Sequence, residues 1–288
     1  MQEKFSFRRG YAARSIFRVC NGVFMLVLML SMLIPLLKVV SDSMDKTTTY
    51  GINLIPKNFS LDAYKTIFTN KDLYMPFVIS VVTTVIGTAL GLLITTLGAY
   101  VLIHTDMVGR GFLAKFVFLT MIFDGGLVPT FLVLKGLGLT DTLGAVLLPA
   151  SINVFNLILM RNFFDQLPKA LFESAEIDGC TPMRVFLFIV LPLSLPALAS
   201  IGLFFTVAYW NEFFSYVMYI ANTSLYNFQV KMRELVINEQ TLMDPSVIGF
   251  GNMVKNAAVV IAVLPFVFVY PFVQGYFISG VTMGAVKE

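Results

Sequence analysis

Residues 171–198 read LFESAEIDGCTPMRVFLFIVLPLSLPAL. The first half of this stretch is polar, and its charged residues are Glu173, Glu176, Asp178 and Arg184. The second half is apolar. A polar segment between two hydrophobic blocks is either a simple connector or a surface on which another protein docks. Which role this stretch has decides how the rest of the chain is interpreted.

The composition of the chain is that of a membrane protein. Hydrophobic residues make up 57% of the 288 residues and charged residues only 13%, whereas soluble domains are about one quarter charged. A helix needs about 20 apolar residues to cross the hydrocarbon core of a bilayer. We therefore predict an all-α membrane protein with about six transmembrane helices. The apolar blocks are residues 17–40, 75–103, 112–134, 143–163, 191–214 and 256–278.

Positive charge near the N-terminus sets the predicted orientation, because basic residues resist translocation. We predict a cytoplasmic basic tail at 1–16, a first span at 17–40, an extracytoplasmic segment at 41–74 and a membrane core at 75–288. The loop at 164–190 and both chain termini then lie in the cytoplasm. The basic residues that support this orientation are Lys4, Arg8, Arg9, Arg14 and Arg18.

Local signals predict two short helices outside the spans and close packing within one span. SLDAYKTIF, residues 60–68, has Ser60 as a helix cap and Asp62 in the first turn. QVKMRELV, residues 229–236, is a second amphipathic candidate. Gly87 and Gly91 form a GxxxG pair, which lets helices approach closely. Their partner is either another helix of this chain or a second subunit.

Motifs for catalysis and cofactor binding are absent from the sequence. The chain has one histidine, His104, and no pattern typical of zinc hydrolases, serine hydrolases or phosphate-binding loops. We therefore expect it to be non-catalytic and to bind neither a metal nor a cofactor itself. A net charge of +3 is too small to suggest nucleic-acid binding.

Polar residues inside the apolar blocks are candidates for a substrate pathway, because charge in lipid is costly. Asp124 lies midway in the third block, followed by two glycines and Pro129, which would weaken the helix. Glu212 lies near the outer end of the fifth block, beside Trp210 and Asn211. An aromatic ring flanked by amide and carboxylate groups suits a sugar. The alternative is an interfacial aromatic belt with an acidic neighbour.

The polar half of the opening stretch predicts two helices joined by a sharp turn. Pro168 suits the first turn of a helix, and Gly179 suits a left-handed stop. Thr181 then caps a second helix that has Pro182 at its first position. A simple connector would be shorter, so this length favours docking. The second helix has a predicted apolar face at helical spacing, formed by Met183, Phe186, Leu187 and Val190.

This stretch resembles the EAA signature of the permease subunits of ATP-binding-cassette (ABC) importers. The signature consists of a Glu-Ala-Ala-like start, an Asp-Gly pair and a later Ile-x-Leu-Pro. Ser174 occupies a position of the signature where alanine is most common, and this is a change from one small residue to another. The matching residues here are Glu173, Ser174, Ala175, Asp178, Gly179, Ile189, Leu191 and Pro192.

The resemblance extends over nearly the whole chain. IPKNFSLDAYKTIF at 55–68, AYWNEFFSYVMYI at 208–220 and GYFISGVTMGAVKE at 275–288 are similar to the carbohydrate-uptake branch of the family. FDGGLVPTFLVLKGLGLTDT at 123–142 resembles its complex-oligosaccharide subgroup. That subgroup more often has glycine where this chain has Asp124, so no role for Asp124 follows from the resemblance.

The resemblance implies the type I ABC importer permease fold in a bacterial cytoplasmic membrane. It also implies a lipid bilayer, a second permease in a heterodimer, two ATPase subunits that use ATP-Mg, an extracytoplasmic solute-binding protein, and a sugar or oligosaccharide substrate. Glu173, Ser174, Ala175, Asp178 and Gly179 would form a coupling helix against an ATPase, and we add the nearby Arg184. The alternatives are an importer permease for amino acids or polyamines, and a self-contained channel or secondary carrier.

Overall fold

The structure, a computed structural model, describes residues 3–46, 51, 53–104, 107–238 and 245–285. Helix is the only regular structure in these residues, apart from one isolated antiparallel bridge between Asp45 and Phe59. The prediction of an all-α protein is confirmed. In chain order the α-helices are α1 (Glu3–Asp42), α2 (Asp62–Thr69), α3 (Lys71–Ile103), α4 (Arg110–Ile122), α5 (Leu127–Gly136), α6 (Gly144–Ser151), α7 (Val154–Asp165), α8 (Lys169–Ile177), α9 (Pro182–Val185), α10 (Leu191–Leu193), α11 (Leu195–Trp210), α12 (Phe214–Tyr219), α13 (Phe228–Asn238) and α14 (Pro245–Ala285).

The chain divides into two compact units. The first comprises the described parts of Met1–Thr69 and Val236–Ala262, and the second those of Asn70–Leu235 and Val263–Glu288. In the first unit, the backbone N–H of Asp62 donates to the Ser60 Oγ at 3.1 Å, which confirms the predicted cap of α2. The second predicted short helix is α13.

All six predicted apolar blocks are helical, but only three are continuous. In the described part of the chain, Arg14–Asp42, Lys71–Ile103 and Phe250–Pro271 are long and apolar enough to cross a membrane. The other three blocks are helix pairs, bent by 118° between α4 and α5, by 43° between α6 and α7, and by 81° between Pro182–Leu193 and Leu195–Trp210. Counting each bent pair as one span gives six spans.

Each bend has a local cause in the sequence. Between α4 and α5, at the predicted weak point around Asp124, Gly126 has φ 82° and ψ 177°, a conformation that is essentially restricted to glycine. Between α6 and α7 the chain becomes extended, and the Asn153 side chain accepts from the backbone N–H of Asn156 at 3.0 Å to start a new helix. At Ser194 the helix ends just before Pro196, which lies in the first turn of α11.

Helix α3 is the centre of the second unit and packs along α11, α7 and α6. A Cβ atom on Gly87 would lie 2.5 Å from the Tyr209 ring, and one on Gly91 would lie 2.7 Å from the Phe205 ring. The Tyr209 hydroxyl also donates to the Leu147 carbonyl oxygen at 2.8 Å. The close approach predicted from the GxxxG pair is therefore a contact within this subunit.

Candidate functional site

Helix α8 ends in the left-handed turn that the sequence predicts. Gly179 has φ +71°, its N–H donates to the Glu176 carbonyl oxygen at 3.0 Å, and the Cys180 N–H donates to the Ala175 carbonyl oxygen at 2.9 Å. These two hydrogen bonds define a Schellman motif, which satisfies the last carbonyl groups of a helix. The turn therefore has one defined geometry.

The helix after this turn differs from the prediction. Thr181 and Pro182 occupy the predicted cap and first position of α9, but the Thr181 side chain makes no cap hydrogen bond. Four residues later the chain forms a π-helical turn, Phe186–Val190. A π turn holds more residues than an α turn, so it changes which side chains face inward.

This π turn makes the predicted apolar face wrong at two positions. Phe186 and Val190 are buried as predicted, but Met183 and Leu187 are exposed. Val185, which did not fit the predicted spacing, is buried instead. Simple helical periodicity assumes a constant number of residues per turn, and this segment does not have one.

Two helices of the membrane core anchor this segment. The Tyr100 hydroxyl of α3 donates to the Pro182 carbonyl oxygen at 2.9 Å, and its ring packs against Phe186 with centroids 4.9 Å apart. The buried Ala175 of α8 belongs to the same hydrophobic cluster as Met160 and Phe164 of α7. The polar stretch is therefore a fixed protrusion rather than a loose connector.

The outward side of this protrusion carries the other predicted coupling residues. We refer to eight of its exposed residues as the α8 surface. Ala175 is the one predicted residue that does not belong to it, because its side chain is buried. Ile177, which the sequence analysis missed, is 87% exposed and lies between Glu176 and Asp178. The surface is therefore both acidic and apolar. The α8 surface consists of Glu173, Ser174, Glu176, Ile177, Asp178, Gly179, Met183 and Arg184.

The structure places Trp210 away from any open surface of this chain. Its side chain is only 4% exposed, and edge-to-face contacts join it to Phe77 at 5.8 Å and to Phe266 at 6.0 Å between ring centroids. In this structure the indole packs between helices of this chain, and its place in a sugar pathway stays a prediction. Its neighbours come from α3 and α14, so their proximity could not be foreseen from the local sequence.

The two residues after Trp210 are more accessible. Asn211 is exposed, and its side-chain amide donates to the Val207 carbonyl oxygen at 2.9 Å. Glu212 is half-buried, and its Oε1 accepts from the backbone N–H of Ser215 at 2.9 Å. The carboxylate thereby caps the start of α12.

Tyr219, a residue missed by the sequence analysis, is affected by the charges of the two predicted acidic residues. Burial raises the pKa of Tyr219, and the negative charges of Glu212 and Asp124 raise it further. Asp124 itself is exposed at the break between α4 and α5, where its Oδ1 accepts from the Gly126 N–H at 3.0 Å.

Asp141 fixes the backbone next to Tyr219. Its own N–H donates to the Tyr219 carbonyl oxygen at 3.0 Å, and its Oδ1 accepts from the N–H groups of Ala221 and Asn222. Asp141 has φ 62°, a left-handed conformation that is uncommon for a residue other than glycine. Asp141 thus holds the backbone of residues 219–222 in place.

Known proteins are similar to this chain over almost its full length. The polygalacturonan/rhamnogalacturonan transport system permease protein YtcP of Bacillus subtilis is 42% identical over 273 residues, which cover 92% of this chain and 96% of that protein. The arabinooligosaccharides transport system permease protein AraQ of Halalkalibacterium halodurans is 32% identical and covers 88% of this chain and 90% of its own length.

A solved structure shows the same architecture. It is the crystal structure of a bacterial ABC transporter involved in the import of the acidic polysaccharide alginate. One of its chains matches with a TM-score of 0.83 and 28% identity, over 91% of this chain and 97% of the other. The type I ABC importer permease fold and a multi-pass location in the cytoplasmic membrane follow from this match and from the family.

The match to one family model covers both the helices and the α8 surface. The family of binding-protein-dependent transport system inner membrane components matches residues 3–283, from α1 into the last turn of α14. Its members are non-catalytic permease subunits of ABC transporters. With matches of this length and identity, the chain belongs to the family of inner membrane components of binding-protein-dependent transport systems.

Proposed function

We propose that this chain forms one half of the translocation pore of an ATP-driven importer for a sugar or oligosaccharide. The observation that carries the proposal is the α8 surface, an exposed acidic and apolar protrusion fixed to the membrane core by Tyr100 and Ala175. The names of relatives that transport polygalacturonan, rhamnogalacturonan and arabinooligosaccharides support the substrate class. An amino-acid or polyamine permease is the second candidate.

In this proposal the α8 surface docks on one of two cytoplasmic ATPase subunits, which bind and hydrolyse ATP-Mg. Closure of the ATPases moves α8, and the hydrogen bond from Tyr100 to the Pro182 carbonyl oxygen transmits the movement to α3. Since α3 packs along α11, α7 and α6, a displacement at one end affects the whole second unit. Coupling of this kind depends on the contact between the α8 surface and the ATPase, which lies at a distance from the pore. It requires no cofactor bound by this chain.

The remaining partners complete the transporter. A second permease in a heterodimer supplies the other half of the pore, and an extracytoplasmic solute-binding protein delivers the substrate. Asn211, Glu212 and Asp124 are the residues we propose for the substrate pathway, because their polar groups are exposed or half-buried. Trp210 is the fourth residue we propose for this pathway, and in the structure its ring packs against Phe77 and Phe266.

Substitution of Gly179 tests the coupling role. Asparagine tolerates the left-handed conformation, and no atom lies within 4 Å of the position of its Cβ, so Gly179→Asn should preserve the turn. It adds a side chain where an ATPase would approach, and we expect uptake by the reconstituted transporter to fall about tenfold or more. Gly138→Asn is the matched control, because Gly138 has φ +68° and equally open surroundings but lies outside the α8 surface.

Both variants should reach the membrane in normal amount and should have the same melting temperature as the parent protein. Normal uptake with Gly179→Asn would exclude close contact at the α8 surface. Uptake by this chain alone, driven by an ion gradient in vesicles, would instead identify a secondary carrier. Competition between labelled galacturonate oligosaccharides, amino acids and polyamines in the complete transporter decides the substrate class.

A further inference from the structure

Hydrogen bonds fold the segment after α1 back onto the end of that helix. The hydroxyl groups of Ser43 and Tyr64 lie 2.7 Å apart, and the backbone N–H of Ser60 donates to the Met44 carbonyl oxygen at 2.9 Å. Ser43 and Ser60 are buried, so these bonds are shielded from solvent. Residues 53–68 therefore have a defined position close to the C-terminal end of α1.

Asp45 organises the same segment. Its two carboxylate oxygens accept from the N–H of Lys57 at 2.8 Å and of Asn58 at 3.2 Å. The backbone of Asp45 forms the antiparallel bridge with Phe59, and the Lys46 ammonium lies 2.6 Å from the Asp62 carboxylate. The turn is thus held by several contacts at once.

The position of α1 puts this segment at the membrane boundary. The apolar part of α1 ends at an ion pair between Lys38 and Asp42, 2.6 Å apart. Phe59 pairs with Asp45, only three residues beyond the end of α1. Three extended residues span about 10 Å. Since the headgroup layer on each side of the hydrocarbon core is roughly 5–8 Å thick, Phe59 lies within or beside that layer.

Large apolar side chains of this segment are exposed. Ile55 is 80% exposed, Phe59 65% and Phe68 61%, whereas Ala63 and Ile67 on the opposite face of α2 are buried. With the exposed Leu54 and Leu61, the first three form what we call the outer patch. The exposed lysines Lys57 and Lys65 lie in the same stretch of chain.

We propose that the outer patch inserts into the lipid headgroup layer next to the end of α1. Aromatic and aliphatic side chains combined with lysines are typical of segments that lie at a membrane interface. The neighbouring helix α1 is apolar, and its most hydrophobic part is entirely unburied within this chain. Lys57 and Lys65 complement the negative phosphates of anionic lipids. The outer patch then sets the depth and tilt of α1.

Tryptophan fluorescence in lipid vesicles tests this proposal. The full chain, assembled with its partner subunits, is reconstituted in phosphatidylcholine and phosphatidylglycerol that carry bromine close to the headgroup end of the acyl chains. Phe59→Trp and Phe68→Trp are the probe variants. Emission from the parent assembly, to which this chain contributes Trp210 as its one tryptophan, is subtracted as background.

Asn58→Trp is the control, because Asn58 is an exposed polar residue beside Phe59 that is not part of the outer patch. We expect bromine to quench Phe59→Trp and Phe68→Trp at least about twofold more than Asn58→Trp, with emission at shorter wavelength. Equal quenching of all three would overturn the proposal. Shielding of the two probes that appears only when the solute-binding protein is added would also overturn it, since the patch would then be a protein-docking surface.

Discussion

Glycines of this chain serve two different physical purposes. Gly87 and Gly91 leave room for the rings of Tyr209 and Phe205. Gly179 has open space around it and supplies a left-handed backbone instead. A substitution at Gly87 or Gly91 therefore disturbs the protein by crowding. A substitution at Gly179 disturbs it by backbone strain or by loss of a surface contact.

Crowding at Gly87 predicts a loss of stability from the smallest possible change. In Gly87→Ala the new methyl group would overlap the Tyr209 ring, which is buried and hydrogen-bonded to the Leu147 carbonyl oxygen. We expect unfolding to become easier by about 1–3 kcal/mol. Thermal unfolding in detergent measures the change. Gly111→Ala, where nothing lies within 4 Å, should not destabilise the protein, and equal melting temperatures for the two variants would contradict this packing argument.

The ion pair between Lys46 and Asp62 predicts a pH dependence. A hydrogen bond from Lys46, with another from Ser60, lowers the pKa of Asp62 below its ordinary value of 3.8. A lowered folded-state pKa stabilises the fold above the unfolded-state pKa, and that stabilisation is lost as the pH falls through the folded-state value. The melting temperature of Asp62→Asn should lie below that of the parent protein at pH 7.

That difference should shrink as the pH falls below the ordinary carboxyl pKa of about 4. Because both groups are exposed, added salt should also reduce it. Lys57→Gln serves as the control for removal of another exposed charge in the same part of the chain, because Lys57 is not among the groups that lower the pKa of Asp62. A difference that persists unchanged at low pH would assign the effect of the substitution to something other than the ion pair.

At the scale of helices, the protrusion after α7 acts as a unit because it is tied to α3. One neutral hydrogen bond and one ring contact supply the link from α3, both from Tyr100. The two contributions can be separated by substitution, since phenylalanine keeps the ring and removes the hydroxyl.

Tyr100→Phe should loosen α9 without displacing it. Loss of the hydrogen bond to the Pro182 carbonyl oxygen is worth roughly 0.5–1.5 kcal/mol, which corresponds to amide exchange several-fold faster in residues 183–186. Hydrogen-deuterium exchange measures this directly. Tyr209→Phe, which removes a hydroxyl that bonds to Leu147 at 2.8 Å, is the control. Unchanged exchange in Tyr100→Phe would show that ring packing alone anchors the protrusion.

The sequence predicted elements whose signals are local. The cap at Ser60, the stop at Gly179 and the weak point at Asp124 depend on residues within one or two turns of each other. The π turn at Phe186–Val190 and the burial of Trp210 depend on packing against helices far away in sequence. Such contacts leave no periodic pattern in the segment itself, so they could not be read from it.

At the scale of the whole molecule, composition and block length were enough to predict the class and the number of apolar segments. They could not show which segments are continuous, because a bend depends on which neighbour satisfies the freed backbone groups. The orientation of the chain in the membrane is still a prediction, based on basic residues near the N-terminus.

Cysteine labelling tests that orientation. In a Cys20→Ser, Cys180→Ser background, Asn58→Cys should react with a membrane-impermeant maleimide in intact cells. Val108→Cys, in the short turn before α4, should react only after the membrane is permeabilised. Both positions are exposed in the structure, so a difference in labelling reports the side of the membrane on which each one lies. The opposite labelling pattern would place the N-terminus outside the cell.

The bent helix pairs affect how the newly synthesised chain folds in the membrane. A helix broken within the bilayer leaves backbone N–H and C=O groups that lipid cannot satisfy, so it is poorly stable until a neighbour covers it. Of the three continuous helices, α3 is the one that packs along α6, α7 and α11, which belong to two of the broken pairs. It also emerges from the ribosome before them. Helix α3 is thus suited to be an internal chaperone, a membrane-inserted template on which later segments complete their folding.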